Sequence, residues 1–305
     1  MAPFELICVG RLVKETIYFP AGVQGPVLGS PPAYCSVAAA RQGARVGICT
    51  KIGPDMPQGL LEALRVSGVD MQGVIIGERT TISELIYDQA GCKEIRYPAS
   101  SDPIGPEDIP QAYEGCSMLY ICPMDQDVLV EDIASVARKG QLSAVDLGGY
   151  GGVHMSKAHR AALVSPAAVA RQVARHFHVV KASSEDVTAI FGSTDVERAS
   201  EELLACGPDV VLVTLGAQGA LVRTQKGTQF VSPAPCRPID TTGGGDAFMA
   251  GFLVEYLRSG DALRAAKWGC ATAACVIEQS GGVKIERMPT YEMAKARFER
   301  AYSYY

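Results

Sequence analysis

The chain has 305 residues, 48% of them hydrophobic and 20% charged, with a formal net charge of −5. This composition is typical of a soluble globular protein, and it includes neither an apolar run that could span a bilayer nor a basic cluster for nucleic acid. The ten cysteines are scattered without a C-x-x-C pair, so we expect neither zinc nor disulfides. Since no basic region precedes the apolar residues of the N-terminus, we expect a cytoplasmic protein.

Short apolar runs alternate with amphipathic segments along most of the chain. The runs ELICVG, RVGICTKIG, CSMLYIC, LSAVDL, HFHVVKAS and DVVLVTLG are predicted to be buried β-strands, and the helical segments between them end in glycine. Repeated strand–helix–strand units predict a mostly parallel sheet with helices on both faces. Because the chain is long for one compact domain and short for two equal ones, we expect one large domain with a small appendage.

Two stretches depart from this alternation, residues 11–28 and about 72–98. Both show period-2 patterns with turn residues, which predicts β-strands without helices. We expect them to pair into a small sheet that covers, as a lid, the crevice at the carboxyl ends of the main strands. Uncovered apolar edges on such a sheet would favour a homodimer through the lids.

The late stretch IDTTGGGDAFMAGFL indicates an anion site. Gly243, Gly244 and Gly245 allow a ligand to approach the backbone, and the helix that follows presents free N–H groups to negative charge. Asp246 is unfavourable beside an anion unless it accepts a proton from an attacking hydroxyl. A Gly-rich turn before a helix is often only a tight connection, so the motif alone leaves both interpretations open. The first strand ends in VGRLV, which argues against a dinucleotide-binding dehydrogenase.

Three separated stretches resemble signatures of the ribokinase-like carbohydrate kinases, the PfkB family. DTTGGGDAFMAGF resembles the C-terminal signature, usually D-T-x-G-A-G-D, and residues 28–59 resemble the N-terminal signature. VVLVTLGAQGALV, residues 210–222, resembles the nucleotide-site strand and turn. The resemblance implies one kinase domain over residues 1–305: a three-layer α/β fold with a mostly parallel central sheet, helices on both faces and a small β-sheet lid.

The resemblance also implies ATP as the phosphoryl donor and assigns roles near the glycine-rich motif. Asp246 would deprotonate the acceptor hydroxyl, and the amides of Gly243 to Gly245 would neutralise charge on the transferred phosphoryl group. Asp240 and Thr242 fall where the family often binds a monovalent cation such as potassium. A turn or cap role explains Asp240 equally well.

Two further segments would bind the nucleotide and its magnesium ion. Thr214, Gly216 and Gly219 resemble the nucleotide turn, for which a simple β-turn between two strands is an equal alternative. The family's K-P-N-x-x-E motif corresponds to KASSED, with Lys181 kept, Ser183 replacing asparagine and Asp186 replacing glutamate. The shorter carboxylate can hold magnesium through a bound water because the ion keeps most of its hydration shell. SSED is also a typical helix N-cap.

The acceptor site departs further from the family pattern. Glu15 stands where an aspartate is usual, Gly29 and Ser30 take the places of a glycine pair, and Tyr34 replaces an asparagine that grips ribose. With polar partners lost, ribose is not the expected substrate. Tyr34 would stack on a ring, wall off the pocket or pack in the core. Arg96, in the second lid segment, would reach a substrate when the lid closes or lie solvated on a strand face.

The acceptor class rests on a short similarity. KASSED and DLGGYGG resemble the plant-type myo-inositol kinases, so we expect an ATP-dependent kinase for a hydroxyl of a small sugar or polyol, myo-inositol included. One alternative is a nucleoside kinase on the same fold. Another is a non-catalytic sugar-binding or regulatory protein on a kinase scaffold, against which the intact GGGD argues. We assign structural or surface roles to all four histidines.

Overall fold

A computed structural model describes residues 3–89 and 93–302 of the chain. In the N-terminal part the elements are β1 Leu6–Val9, β2 Val13–Phe19, β3 Gly22–Gly29, α1 Pro31–Arg41, β4 Val46–Ile52, α2 Glu62–Val66, β5 Asp70–Ile76, β6 Thr81–Tyr87 and β7 Lys93–Ala99. The remaining elements are β8 Cys116–Ile121, α3 Ile133–Ala137, β9 Gly140–Asp146, α4 Lys157–Ala162, α5 Pro166–Ala174, β10 Val179–Ser183, α6 Ser184–Phe191, α7 Val196–Leu204, β11 Val210–Thr214, β12 Ala220–Thr224, β13 Gly227–Val231, α8 Gly244–Ser259, α9 Ala262–Ile277 and α10 Tyr291–Tyr302.

A nine-stranded sheet forms the centre of the molecule, in the order β13-β12-β11-β10-β9-β8-β1-β4-β5. The strands from β11 to β5 are parallel, and β12 and β13 are antiparallel to their neighbours. The six apolar runs that predicted buried strands all lie in its parallel part. Parallel strands covered on both faces need side chains that are apolar throughout, which is why these runs are continuous.

Helices cover both faces of the large sheet, as expected. In β1, Leu6 and Cys8 pack into one apolar cluster with α1, α8 and α9, whereas Ile7 and Val9 pack into a second with α3, α5, α6 and α7. This alternation follows from the period of two along a strand. The predicted three-layer arrangement, with a mostly parallel sheet between two layers of helices, is confirmed. Among the described residues, no helix has the length and apolarity to cross a membrane.

The small sheet has the order β3-β2-β6-β7, with an apolar cluster of Ile17, Val27, Leu85 and Ile95. The expected second lid segment, residues 72–98, is wrong at its start, because β5 pairs with β4 in the large sheet. An edge strand with one half-exposed face has the same period-2 pattern in either sheet, so the pattern could not separate the two. Residues 90–92 of that segment lie outside the described residues.

Candidate active site

A cavity of about 790 Å³ lies between the small sheet and the carboxyl ends of the central strands. Most of the site residues expected from the sequence line it: Glu15, Ser30, Tyr34, Lys181, Ser183, Asp186, Thr214, Gly216, Gly219, Thr242, Gly243, Gly244, Gly245 and Asp246. Of the described residues with an expected role, Gly29, Arg96 and Asp240 are not part of the lining. The fold therefore gathers into one cavity residues that are more than two hundred positions apart in the sequence.

The N-terminus of α8 points its first turn into this cavity. Gly243 precedes the helix with φ of 78°, a left-handed conformation that glycine adopts without strain. A Cβ atom on Gly243 would collide with the ring of Tyr34. The first N–H groups of a helix have no intrahelical acceptors and carry the positive end of the helix dipole. Gly244, Gly245 and Asp246 thus form a site suited to a phosphate group, with a carboxylate at its edge.

A buried lysine lies next to this helix terminus. Lys181, at 3% exposure, donates a hydrogen bond of 2.8 Å from Nζ to Oδ2 of Asp146, and a Cβ on Gly245 would lie 3.5 Å from the same Nζ. Burial alone lowers the pKa of Lys181, but Asp146, Asp186 and Asp246 outweigh burial, so the pKa is raised above its ordinary value. Lys181 is therefore a fixed positive charge beside the α8 amides.

Asp186 caps α6 from within the cavity wall. Its Oδ2 accepts hydrogen bonds from the amide and hydroxyl of Ser183 at 2.7 and 2.8 Å, and its Oδ1 accepts one from the amide of Val153 at 2.9 Å. Burial raises the pKa of Asp186, but Lys181, His154 and these donors more than offset burial, so its pKa is lowered. The cap expected from SSED is therefore present, and both Asp186 and its neighbour Glu185 line the cavity.

Glu185 was not among the residues expected from the sequence, because the motif pattern favoured the sixth position of KASSED. Its side chain is exposed and lines the cavity next to Asp186. Within the described part of the chain, no group of three or more His, Cys, Asp or Glu residues could hold a metal ion. Magnesium needs only one or two carboxylates when phosphate oxygens and waters complete its shell. Glu185 and Asp186 fit that requirement.

The turn between β11 and β12 forms a further part of the cavity wall. Leu215 donates a backbone hydrogen bond of 2.8 Å to Gly219, which closes the turn. A Cβ on Gly219 would collide with the carbonyl oxygen of Val231, whereas one on Gly216 would meet open space. The β-turn explanation therefore accounts for Gly219, and the left-handed φ of 56° at Gly216 also favours glycine. Thr214 and Gly216 line the cavity, as do Ala273 and Ile277 of α9.

Glu15, on β2, lies where the small sheet faces the cavity. Its side chain is 2% exposed, and its Oε2 accepts a hydrogen bond of 3.1 Å from the hydroxyl of Ser83. A Cβ on Gly29 would lie 2.7 Å from the carboxyl carbon of Glu15, so Gly29 makes room for that carboxylate instead of lining the cavity. Ser30 has φ of 91° and is 4% exposed. Its Oγ, among the described atoms, has no hydrogen-bond partner, so it can bond a ligand hydroxyl.

The remaining lining at this end is mainly apolar, with Leu85, Tyr87, Ile95, Met124 and Val153. Two tyrosine hydroxyls of the small sheet contact residues outside that sheet at the edge of the cavity. The hydroxyl of Tyr87 lies 3.1 Å from Oγ1 of Thr242, and that of Tyr97 donates a hydrogen bond of 2.6 Å to the carbonyl of His154. The small sheet therefore lies closed over the cavity in this structure.

The structure also locates three further residues whose roles were predicted from the sequence: Tyr34, Arg96 and His154. Tyr34 is 1% exposed, and its hydroxyl accepts a hydrogen bond of 2.8 Å from Arg287, so it supports the glycine turn by packing. Arg96 is exposed and pairs with Glu94 at 3.1 Å, on a solvated strand face outside the cavity.

His154, assigned only a structural or surface role, lines the cavity with a buried Nδ1 that has no partner among the described atoms. Its loop carries no motif that would have predicted this position.

Comparison with known proteins matches residues 153–288 to the pfkB family carbohydrate kinases. The chain is 28% identical to a cytidine kinase of Thermococcus kodakarensis over 284 residues, covering 91% of this chain and 97% of the relative. A Vibrio cholerae fructokinase, solved with fructose, ADP and potassium, shares its fold with a TM-score of 0.79 and 24% identity, covering 98% of this chain and all of that one. A pyrophosphate-dependent myo-inositol kinase has a TM-score of 0.79 and 18% identity over 95% of this chain and 98% of its own. These findings confirm the resemblance to the ribokinase-like PfkB carbohydrate kinase family, and they support a carbohydrate or nucleoside kinase without naming its acceptor.

Proposed function

We propose that this protein is an ATP-dependent kinase that phosphorylates a hydroxyl group of a nucleoside. The observation that carries the kinase proposal is the first turn of α8, where Asp246 adjoins the amides of Gly244 and Gly245 and the charged Lys181 lies alongside. A phosphate site with a carboxylate at its edge matches what phosphoryl transfer to a hydroxyl requires. A non-catalytic scaffold has no need to retain that carboxylate.

The transfer follows from the positions of these groups. Asp246 accepts the proton of the acceptor hydroxyl as its oxygen attacks the γ-phosphorus of ATP. A new oxygen–phosphorus bond forms, the bond from the γ-phosphorus to the β,γ-bridging oxygen breaks, and ADP leaves. The α8 amides and Lys181 stabilise the negative charge on the equatorial oxygens. Magnesium, when bound near Glu185 and Asp186, would neutralise phosphate charge.

The nucleotide end of the cavity fits the donor. The turn from Thr214 to Gly219 and the α9 residues Ala273 and Ile277 form an open slot with backbone and small side chains. Such a slot admits a planar base, and it continues to the N-terminus of α8, where the γ-phosphate would bind. The proposed donor is therefore ATP, with its base between the β11 turn and α9.

The acceptor end favours a nucleoside over the free sugar or polyol expected from the sequence. Glu15 and Ser30 line this end with a carboxylate and a hydroxyl, whereas Leu85, Ile95 and Met124 offer apolar contact. A polyol would leave most of its hydroxyls unbonded against these side chains, and unpaired polar groups weaken binding. A ribose with an attached base matches both kinds of lining. The similarity to a cytidine kinase, which extends over 97% of that relative, also supports a nucleoside as the acceptor.

The test is ADP release from Mg·ATP with a panel of acceptors. Cytidine, adenosine and inosine represent nucleosides, and fructose, ribose and myo-inositol represent sugars and polyols. We expect the highest kcat/KM for a nucleoside. Highest kcat/KM for a sugar or polyol would overturn the acceptor proposal but keep the kinase. Binding of ATP without turnover of any acceptor would favour the non-catalytic scaffold.

A further inference from the structure

A buried arginine stands behind the glycine turn of the anion site. Arg287 is 1% exposed, and each of its five N–H groups has an acceptor. Nη2 donates to the carbonyls of Asp240 and Thr242 at 3.0 and 2.8 Å, and Nε donates to the carbonyl of Val276 at 3.1 Å. Nη1 donates to the carbonyl of Gly282 and to the hydroxyl of Tyr34, at 3.1 and 2.8 Å.

The acceptors around Arg287 form a set that would otherwise suit a bare cation. Four are backbone carbonyls, and the carboxylate Oδ2 of Asp240 lies 3.6 Å from Nη2. Carbonyl and carboxylate oxygens that converge on one point are the ligands that replace the hydration shell of potassium in proteins. In this chain the guanidinium occupies that point and supplies the positive charge.

We propose that Arg287 is a built-in replacement for a monovalent cation, so that the anion site is assembled without potassium. The sequence placed such a cation at Asp240 and Thr242, but the backbone carbonyls of both residues accept hydrogen bonds from Arg287, and Oδ2 of Asp240 pairs with it. The other side-chain oxygens are also engaged, because Oδ1 of Asp240 accepts the amide of Thr242 and Oγ1 of Thr242 contacts the hydroxyl of Tyr87. A buried arginine is charged under all ordinary conditions and cannot diffuse away. The residues present therefore do not fit a potassium ion.

The contacts show how Arg287 acts on the reaction. It holds the carbonyl of Thr242, the residue immediately before Gly243, and the hydroxyl of Tyr34, whose ring packs against Gly243. Both contacts fix the turn that precedes the α8 amides. Arg287 does not line the cavity, so it is a positioning residue. This inference rests on the proposed kinase function, and it deepens that function by defining its ion requirement.

The first test uses the unaltered protein and two readouts. Melting temperature and kinase activity are measured in potassium, sodium and choline chloride at equal ionic strength. We expect the melting temperature to be the same in all three salts and kcat to differ by less than about twofold, because a fully hydrogen-bonded guanidinium leaves no site for the ion. A melting temperature raised selectively by potassium, or a kcat that needs potassium, would overturn the proposal. If no acceptor is turned over, the kinase function fails, while the melting temperatures still decide the cation question.

The second test removes the guanidinium. Arg287→Ala should lower kcat about a hundredfold, because a displaced anion turn misaligns the transferred group. We expect added guanidinium ion, or potassium, to restore part of kcat in this variant and to raise its melting temperature. The matched control is Arg41→Ala, which removes an arginine that donates at 2.8 Å to the carbonyl of the adjacent Met288.

The control variant separates a local role from general loss of stability. Arg41→Ala should keep the parent kcat and show no response to guanidinium or potassium. If Arg287→Ala folds and has the parent kcat in choline chloride, Arg287 has only a packing role and the proposal is wrong. If Arg287→Ala does not fold, the salt comparison on the unaltered protein still decides whether potassium is needed.

Discussion

The two ends of the cavity are built in different ways. At the phosphate end, the groups proposed to bind ligand are backbone amides of α8, held by Gly243, Tyr34 and Arg287. At the acceptor end, the groups are side chains such as Glu15 and Ser30, from β2 and from the residue before α1. Backbone amides can contact a phosphate whatever the acceptor, whereas side chains select one acceptor. In the proposed function, the first end therefore defines the reaction, and the second defines the substrate.

The largest effect should come from Asp246→Asn at the phosphate end. Asparagine keeps the size of the side chain but cannot accept the hydroxyl proton, so we expect kcat to fall on the order of a thousandfold with little change in ATP binding. Steady-state ADP release and ATP titration give the two numbers. The same substitution at Asp261, the N-cap of α9, should leave kcat unchanged because asparagine caps equally well. A parent kcat in Asp246→Asn would remove the base from the mechanism.

Gly243→Ala tests whether the amides depend on the turn in front of them. The left-handed backbone and the collision with Tyr34 should displace the turn and lower kcat about a hundredfold. The matched variant is Gly260→Ala at the other end of α8, where φ is 66° and no atom lies near the added Cβ. It should cost roughly 1–2 kcal/mol of stability without loss of kcat. Equal activity losses in the two variants would contradict a special role for Gly243.

Glu15→Gln probes the acceptor end. Loss of a charged hydrogen bond to a hydroxyl should lower kcat/KM for the acceptor about tenfold, while KM for ATP stays the same. Glu84→Gln is the control, because Glu84 follows Ser83 on β6 and points to the opposite face. A change in KM for ATP in Glu15→Gln would mean that the two ends do not act separately.

Tyr87→Phe should have the smallest effect, because it removes a single contact between the ends. Its hydroxyl lies 3.1 Å from Oγ1 of Thr242, and one neutral hydrogen bond contributes about 1 kcal/mol, so we expect KM for the acceptor to rise about fivefold. Tyr113→Phe, which removes a hydroxyl that bonds Asp70 and the amide of Gly73 away from the cavity, should leave KM unchanged. Equal KM values in both variants would exclude a closing role for Tyr87.

The sequence by itself determined the central sheet, because strands buried on both faces must be apolar throughout, and DTTGGGD indicated the anion site, because only glycine permits that turn. Tertiary structure decided what depends on distant partners. It assigned β5 to the large sheet, placed His154 and Glu185 in the cavity, and brought Arg287 against the carbonyls of Asp240 and Thr242. No local pattern marks Arg287, since its acceptors come from segments up to 253 positions away. Periodicity and turn chemistry are local properties, whereas the partners of a buried charge are known only after the chain has folded.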